Sequence, residues 1–157
     1  MNISWASRCY HIGVRVPNLE VAMAEMGADL GLTWCSVQER QQDVWTPTTG
    51  AMKVPLRFTY SAEGPQHLEL LEGAPGTIWD GREQPGIHHT GVWVDDVAAE
   101  TNALLAKGWT LAAAGRSPED GYGAFTYVVP PSGLIVELVW SAISPMFDRW
   151  FAGGALA

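Results

Sequence analysis

The segment His11-Ile-Gly-Val-Arg-Val-Pro-Asn-Leu near the start of this 157-residue chain is answered, half the chain later, by His89-Thr-Gly-Val-Trp-Val-Asp-Asp-Val. Both copies read His-x-Gly-Val-x-Val, then Asn or Asp and an aliphatic residue. That is the pattern of a short strand running into the capped start of a helix. A repeat at this spacing confines the fold to one built from two copies of one unit. Each copy continues alike, with a glycine, an apolar residue and Thr where a helix ends and a strand begins (Gly31-Leu-Thr and Gly108-Trp-Thr). Each then closes on an apolar strand holding one glutamate, Glu69 in His67-Leu-Glu-Leu-Leu and Glu137 in Leu134-Ile-Val-Glu-Leu-Val. A carboxylate inside an apolar strand costs desolvation free energy unless something compensates its charge. Two of them at matching places, each with a unit-opening histidine, point to a shared purpose.

Read in order, residues 8 to 16 form a strand with His11, Gly13 and Arg15 on one face and Ile12, Val14 and Val16 on the other. Asn18 then caps a helix from about 19 to 30, stopped by Gly31. Residues 33 to 45 suit an exposed strand, Trp45 to Gly50 a turn, and residues 52 to 61 a strand alternating Leu56, Phe58 and Tyr60 against Arg57 and Thr59. With the strand of Glu69, residues 8–72 make a βαβββ unit. A Gly- and Pro-rich stretch, 73 to 85, reads as a linker. Residues 86–140 repeat the order, with a helix begun by Asp95 or Asp96 and a glycine-rich loop from Gly115 to Gly123. The tail, 141–157, carries aromatics around Ser144 to Phe151 that need burial on this chain or on a partner.

Composition narrows the function. A net charge of −8 with only nine Lys and Arg, scattered singly, leaves no basic stripe for nucleic acid and no attraction to an acidic membrane surface. No stretch approaches the roughly 20 apolar residues that span a bilayer, and the N-terminus lacks the features of a secretory signal. The expected compartment is therefore the cytoplasm. Cys9 and Cys35, without a Cys-x-x-Cys pair, read as small core residues. The eight tryptophans suit a core, an interface or the lining of an apolar pocket.

His11, Glu69, His89 and Glu137 are the candidate chemical centre. If the two units pack about a pseudo-twofold axis, two imidazoles and two carboxylates meet, and their charges balance one divalent ion. Mixed nitrogen and oxygen donors suit Zn, Ni, Co, Mn or Fe(II) without choosing among them. The competing reading pairs Glu69 with Arg15 or Arg57, and makes the histidines hydrogen-bonded core residues. His67 shares the face of Glu69 and is either in the cavity or at an exposed strand end. Trp93, Phe125 and Tyr127 lie on strands that face the cavity or serve the core, and Arg15 either binds a substrate anion or solvates a strand end.

These motifs, together with Gly86-Ile-His-His opening the second unit, resemble the vicinal oxygen chelate superfamily, which includes glyoxalase I, methylmalonyl-CoA epimerase, bleomycin-resistance proteins and extradiol dioxygenases. The resemblance covers about residues 8 to 140. It implies an α+β fold in which two tandem βαβββ units form a curved mixed sheet around a shared cavity, the whole of 1–157 being one glyoxalase-like domain. It also implies one divalent metal ion on His11, Glu69, His89 and Glu137, a set that looks like the bacterial glyoxalase I pattern. Methylmalonyl-CoA epimerases usually have Gln where this chain has Glu69. The implied activity is that of an isomerase, epimerase or lyase acting on a small carbonyl compound through a metal-stabilised enediolate. Glu137 would be the base and Glu69 its partner. The alternatives are a metal-free binding protein of the drug-resistance type and an Fe(II)-dependent dioxygenase. A homodimer is the family's usual habit.

Overall fold

A computed structural model describes residues 4–157 and resolves the chain into two compact units. The His11 unit takes Tyr10–Gln42, Val54–His88 and Ile143–Ala157. The His89 unit takes Asp43–Lys53 and His89–Ala142 with the residues up to Cys9. A short helix α1 (Trp5–Arg8) precedes the first repeat, which runs β1 (Cys9–Arg15), α2 (Leu19–Leu30), β2 (Gln38–Thr46), β3 (Gly50–Tyr60) and β4 (His67–Gly73). The second runs β5 (Gly86–Val94), α3 (Val97–Leu105), β6 (Thr110–Ala114), β7 (Phe125–Val129) and β8 (Val136–Trp140), and helix α4 (Ser144–Phe151) follows. The order is βαβββ twice, as the sequence implies.

In the His11 unit β1 runs parallel to β4, with Gly13 opposite Glu69, and β4 runs antiparallel to β3, with Tyr60 opposite Glu69. In the His89 unit β5 runs parallel to β8, with Gly91 opposite Glu137, and β8 is antiparallel to β7, with Tyr127 opposite Glu137. Strand β7 continues antiparallel to β6, and Trp45 of β2 pairs with Ala114 of β6. Mixed parallel and antiparallel pairing with two main helices makes the fold α+β.

Each helix packs on the strand face that alternation leaves apolar. Val14, Val16, Leu19, Ala22 and Leu70 form the core under α2, with Ile12, Met23, Met26 and Leu68 against it. Val92, Val94, Val97, Val128, Val136 and Leu138 form the equivalent core under α3. Burying each such side chain contributes about 1.5–3 kcal/mol. The helix starts are equivalent in detail: Asn18 accepts from the Val21 amide and Asp96 from the Ala99 amide, both at 2.9 Å. At the other end of α2, Gly31 adopts a left-handed conformation with φ of 66°, which a β-carbon would strain.

Two sequence expectations change, and one open alternative is decided. The exposed strand expected over 33 to 45 starts only at Gln38. Before it Trp34 makes a lone bridge to Ser61 and donates its indole N–H to the Met23 carbonyl at 2.8 Å, so packing onto α2 takes this segment out of regular strand. The stretch 73 to 85, expected as a linker, is built into the His11 unit. Trp79 there is 2% exposed, and Asp80 accepts from the Gly76 and Arg82 amides at 2.9 and 3.0 Å. Gly81 lies so close to β1 that a β-carbon would stand 2.4 Å from the Val16 backbone nitrogen. The tail aromatics bury on their own unit: Trp150 is 0% exposed and donates to the Ser36 hydroxyl at 2.9 Å. They therefore supply no argument for a partner chain. Among the described residues, no helix is long and apolar enough to cross a membrane.

Candidate functional site

Period-2 alternation leaves His11 and Gly13 of β1, and His67 and Glu69 of β4, on the face of their strands away from α2. Because β1 and β4 are parallel with Gly13 opposite Glu69, the glycine places no side chain beside the carboxylate. The imidazole two residues earlier then reaches it: His11 Nε2 lies 3.5 Å from Glu69 Oε1, with the two side chains 0% and 9% exposed. Tyr60, opposite Glu69 on β3, closes the group with its ring 5.1 Å from that of His11.

The His89 unit repeats this construction. His89 Nε2 lies 3.2 Å from Glu137 Oε2, with the side chains 0% and 13% exposed. Gly91 faces Glu137 across the parallel pair, and Tyr127, opposite Glu137 on β7, has its ring 4.9 Å from His89. Each unit thus carries one His–Glu–Tyr group on one strand register. Sequence patterning anticipated the histidines, the glutamates and Tyr127, and missed Tyr60, whose place in the alternation with Leu56 and Phe58 was the available signal.

The donor chemistry fits a divalent ion. Two ligands held about 2.1 Å from one ion stand about 3.0–3.4 Å apart at octahedral to tetrahedral angles; the His89–Glu137 separation of 3.2 Å lies within that range and the His11–Glu69 separation of 3.5 Å just above it. Glutamates this well buried need a compensating positive charge. The arginines weighed against ligation are committed elsewhere. Arg57 binds Glu39 at 2.9 Å and Glu72 at 3.3 Å, and also pairs with Glu20. Arg15 donates to the Ile78 carbonyl and to Gln84 Oε1, both at 3.1 Å, so it fastens the 74–85 loop.

The remaining candidates divide. His67 is buried, its Nδ1–H donating to the Ser61 carbonyl at 2.7 Å and its ring stacked on Phe151 at 3.6 Å. Burial pushes its pKa down, which favours the neutral imidazole. Phe125 is half-buried with its ring 5.5 Å from Tyr127, and Trp93 is half-buried on β5. Both cysteines are buried and neither is in a disulfide. Burial pushes the Cys35 thiol up to about 11, which removes it as a nucleophile at neutral pH.

Residues 10–127 match the Glyoxalase/Bleomycin resistance protein/Dioxygenase superfamily. The chain belongs to that superfamily. Solved structures of the same fold include a variant of Streptomyces coelicolor methylmalonyl-CoA epimerase in complex with 2-nitronate-propionyl-CoA. It is 23% identical, with 86% of this chain and 94% of that one covered and a TM-score of 0.59. The Mycobacterium tuberculosis methylmalonyl-CoA epimerase is 17% identical, covering 89% and 91%, with a TM-score of 0.56. A Streptomyces coelicolor 4-hydroxymandelate synthase mutant is 14% identical, covering 84% of this chain and 48% of that one, with a TM-score of 0.54. No protein with a curated description matches at the sequence level. At these identities the likeness establishes the fold, and the chemistry rests on this chain's own residues.

Proposed function

We propose that this protein is a divalent-metal enzyme that moves a proton at the carbon beside a carbonyl, as an isomerase or epimerase does, on a small-molecule substrate. The observation that carries this is the duplicated His–Glu–Tyr group. His11, Glu69, His89 and Glu137 together make a donor set able to hold a metal ion, and two neutral imidazoles with two carboxylates balance the charge of one divalent ion. When bound, such an ion supplies Lewis-acid polarisation of a carbonyl oxygen, which acidifies the neighbouring C–H.

The chain's own residues do the rest. Glu137 takes the proton from carbon and returns it, to the other face or to the neighbouring carbon, according to the substrate. Two features favour it over Glu69. Its carboxylate side chain is the more exposed of the two, 13% against 9%, and in the His11 unit the α4 rings Phe147, Trp150 and Phe151 gather about Tyr60 beside the His11–Glu69 pair. Tyr127, Phe125 and Trp93 supply an apolar wall that excludes water from the reacting carbon and holds the body of the substrate.

The test is metal content of protein purified without chelator, for the parent chain and for Glu69→Ala and His89→Ala. About one equivalent of a divalent transition metal in the parent, with affinity reduced at least about 100-fold in both variants, is the expected result. A metal-free parent that gains no thermal stability from added Ni, Co, Zn or Mn would overturn the proposal.

A further inference from the structure

The arginines of this chain are, with two exceptions, tied down. Arg8 binds Glu100 at 3.1 Å, Arg82 binds Asp80 at 3.1 Å, and Arg149 donates to the Ala157 carbonyl at 3.3 Å. Arg15 and Arg57 are committed as described above. Arg116 is exposed on the β6–β7 loop. Arg40 differs from all of them. It projects from β2 over an aromatic ring, with its guanidinium carbon 4.8 Å from the centroid of Phe58. Among the described residues, no carboxylate comes within ion-pair distance of it.

Its location follows from a short series of ring contacts within the His11 unit. Phe58 meets Tyr60 at 6.3 Å and Tyr60 meets His11 at 5.1 Å, so Arg40 stands over the same strand face as the His11–Glu69 pair. Burial pushes the Arg40 pKa down, and nearby Tyr60 and Glu69 oppose that shift. An aromatic face holds a guanidinium flat while leaving its edge N–H donors free. A planar fork of donors over a ring on that strand face matches a carboxylate in bidentate fashion. A singly charged carboxylate also meets less repulsion from nearby Glu69 than a doubly charged phosphate would.

We infer that Arg40 binds a carboxylate of the substrate, so the compounds acted on by this protein are carbonyl compounds that carry a carboxylate remote from the reacting carbon. The inference rests on the proposed function and names the substrate class for that same site. Arg40 is then the specificity residue of the His11 unit, and Phe58 is its platform.

The test compares 4-oxopentanoate with its methyl ester, binding each to the full chain by calorimetry with and without added Zn²⁺. The carbonyl end is the same in both, and only the acid offers an anion. The parent should bind the acid at least about tenfold tighter. Arg40→Gln should bring the ratio close to one by weakening the acid alone, Arg40→Lys should retain part of the preference, and Zn²⁺ affinity should be the same in all three. A parent without preference for the acid overturns the inference, as does Arg40→Gln weakening acid and ester equally, which would mean a packing role over Phe58. Failure of the parent to bind Zn²⁺ counts against the proposed function only, because the acid-to-ester ratio in the Zn²⁺-free protein still decides the role of Arg40.

Discussion

The His11 and His89 units carry the same His–Glu–Tyr group and the same helix cap, yet their surroundings diverge. In the His11 unit α4 lays Phe147, Trp150 and Phe151 around Tyr60, and Phe151 stacks on His67. Arg40 adds a cation over Phe58. In the His89 unit Phe125 and His89 are among the neighbours of Tyr127, and the α3 side is fastened by a buried hydroxyl pair, Thr101 with Thr126 at 2.9 Å. Duplication therefore explains the matching His–Glu–Tyr groups, and the asymmetry comes from α4, outside the repeat, together with residues such as Arg40 and Thr101 within it. Under the proposed function, like donors in unlike surroundings would let one glutamate act on substrate while the other mainly balances charge.

That division is broken most directly at the glutamates. Glu137→Gln is expected to lower deuterium exchange into a turned-over carbonyl substrate by about 10²–10⁴-fold, and Glu69→Gln by clearly less. Equal losses, measured by NMR in deuterated water, would make the two units interchangeable in chemistry. Next comes the aromatic packing. Trp150→Ala removes a fully buried ring and its bond to Ser36, and should cost about 3–5 kcal/mol in urea unfolding. A cost under 1 kcal/mol would show that α4 is not integral to its unit.

A smaller effect sharpens the likeness instead. Asn18→Ala and Asp96→Ala each remove a 2.9 Å cap and should each destabilise by about 1 kcal/mol. Costs that differ by more than twofold would mean that the two helix starts are not energetically equivalent. The smallest expected effect concerns the loop after β4, which belongs to the His11 unit. The backbone amides of Gly76 and Arg82, then the Arg82 side chain, hold the Asp80 carboxyl below the usual carboxylate range. A depressed folded-state pKa contributes stability that is fully present above the unfolded-state value and is lost as pH falls through the folded-state value. Asp80→Asn should therefore lower Tm at neutral pH and leave a shallower acid limb below about pH 4. An acid limb unchanged from the parent would remove Asp80 from the account.

Much of this was legible in the residues. The spacing of His11 and His89 located β1 and β5, alternation put each histidine and glutamate on the face opposite the helix core, and Asn18 and Asp96 marked the helix starts. The 73–85 stretch was misread as a linker, and the contacts of Arg15 were not legible, for one reason. Alternation fixes which side of a strand a side chain leaves from, but the Ile78 carbonyl that captures Arg15 arrives from a loop more than 60 positions away. Trp34 left the expected strand through an equally unpatterned contact with Met23.

The sequence by itself determined the duplicated βαβββ order, the superfamily and the two His–Glu pairs that could hold a metal, because strand period, helix caps and glycine positions are local properties that two copies state twice. Only the tertiary structure decided that Glu69 faces Gly13, that the tail buries on the His11 unit, and that Arg40 rests on Phe58. Those contacts join segments with no shared periodicity, and packing free energy, unlike strand period, leaves no regular trace along the chain.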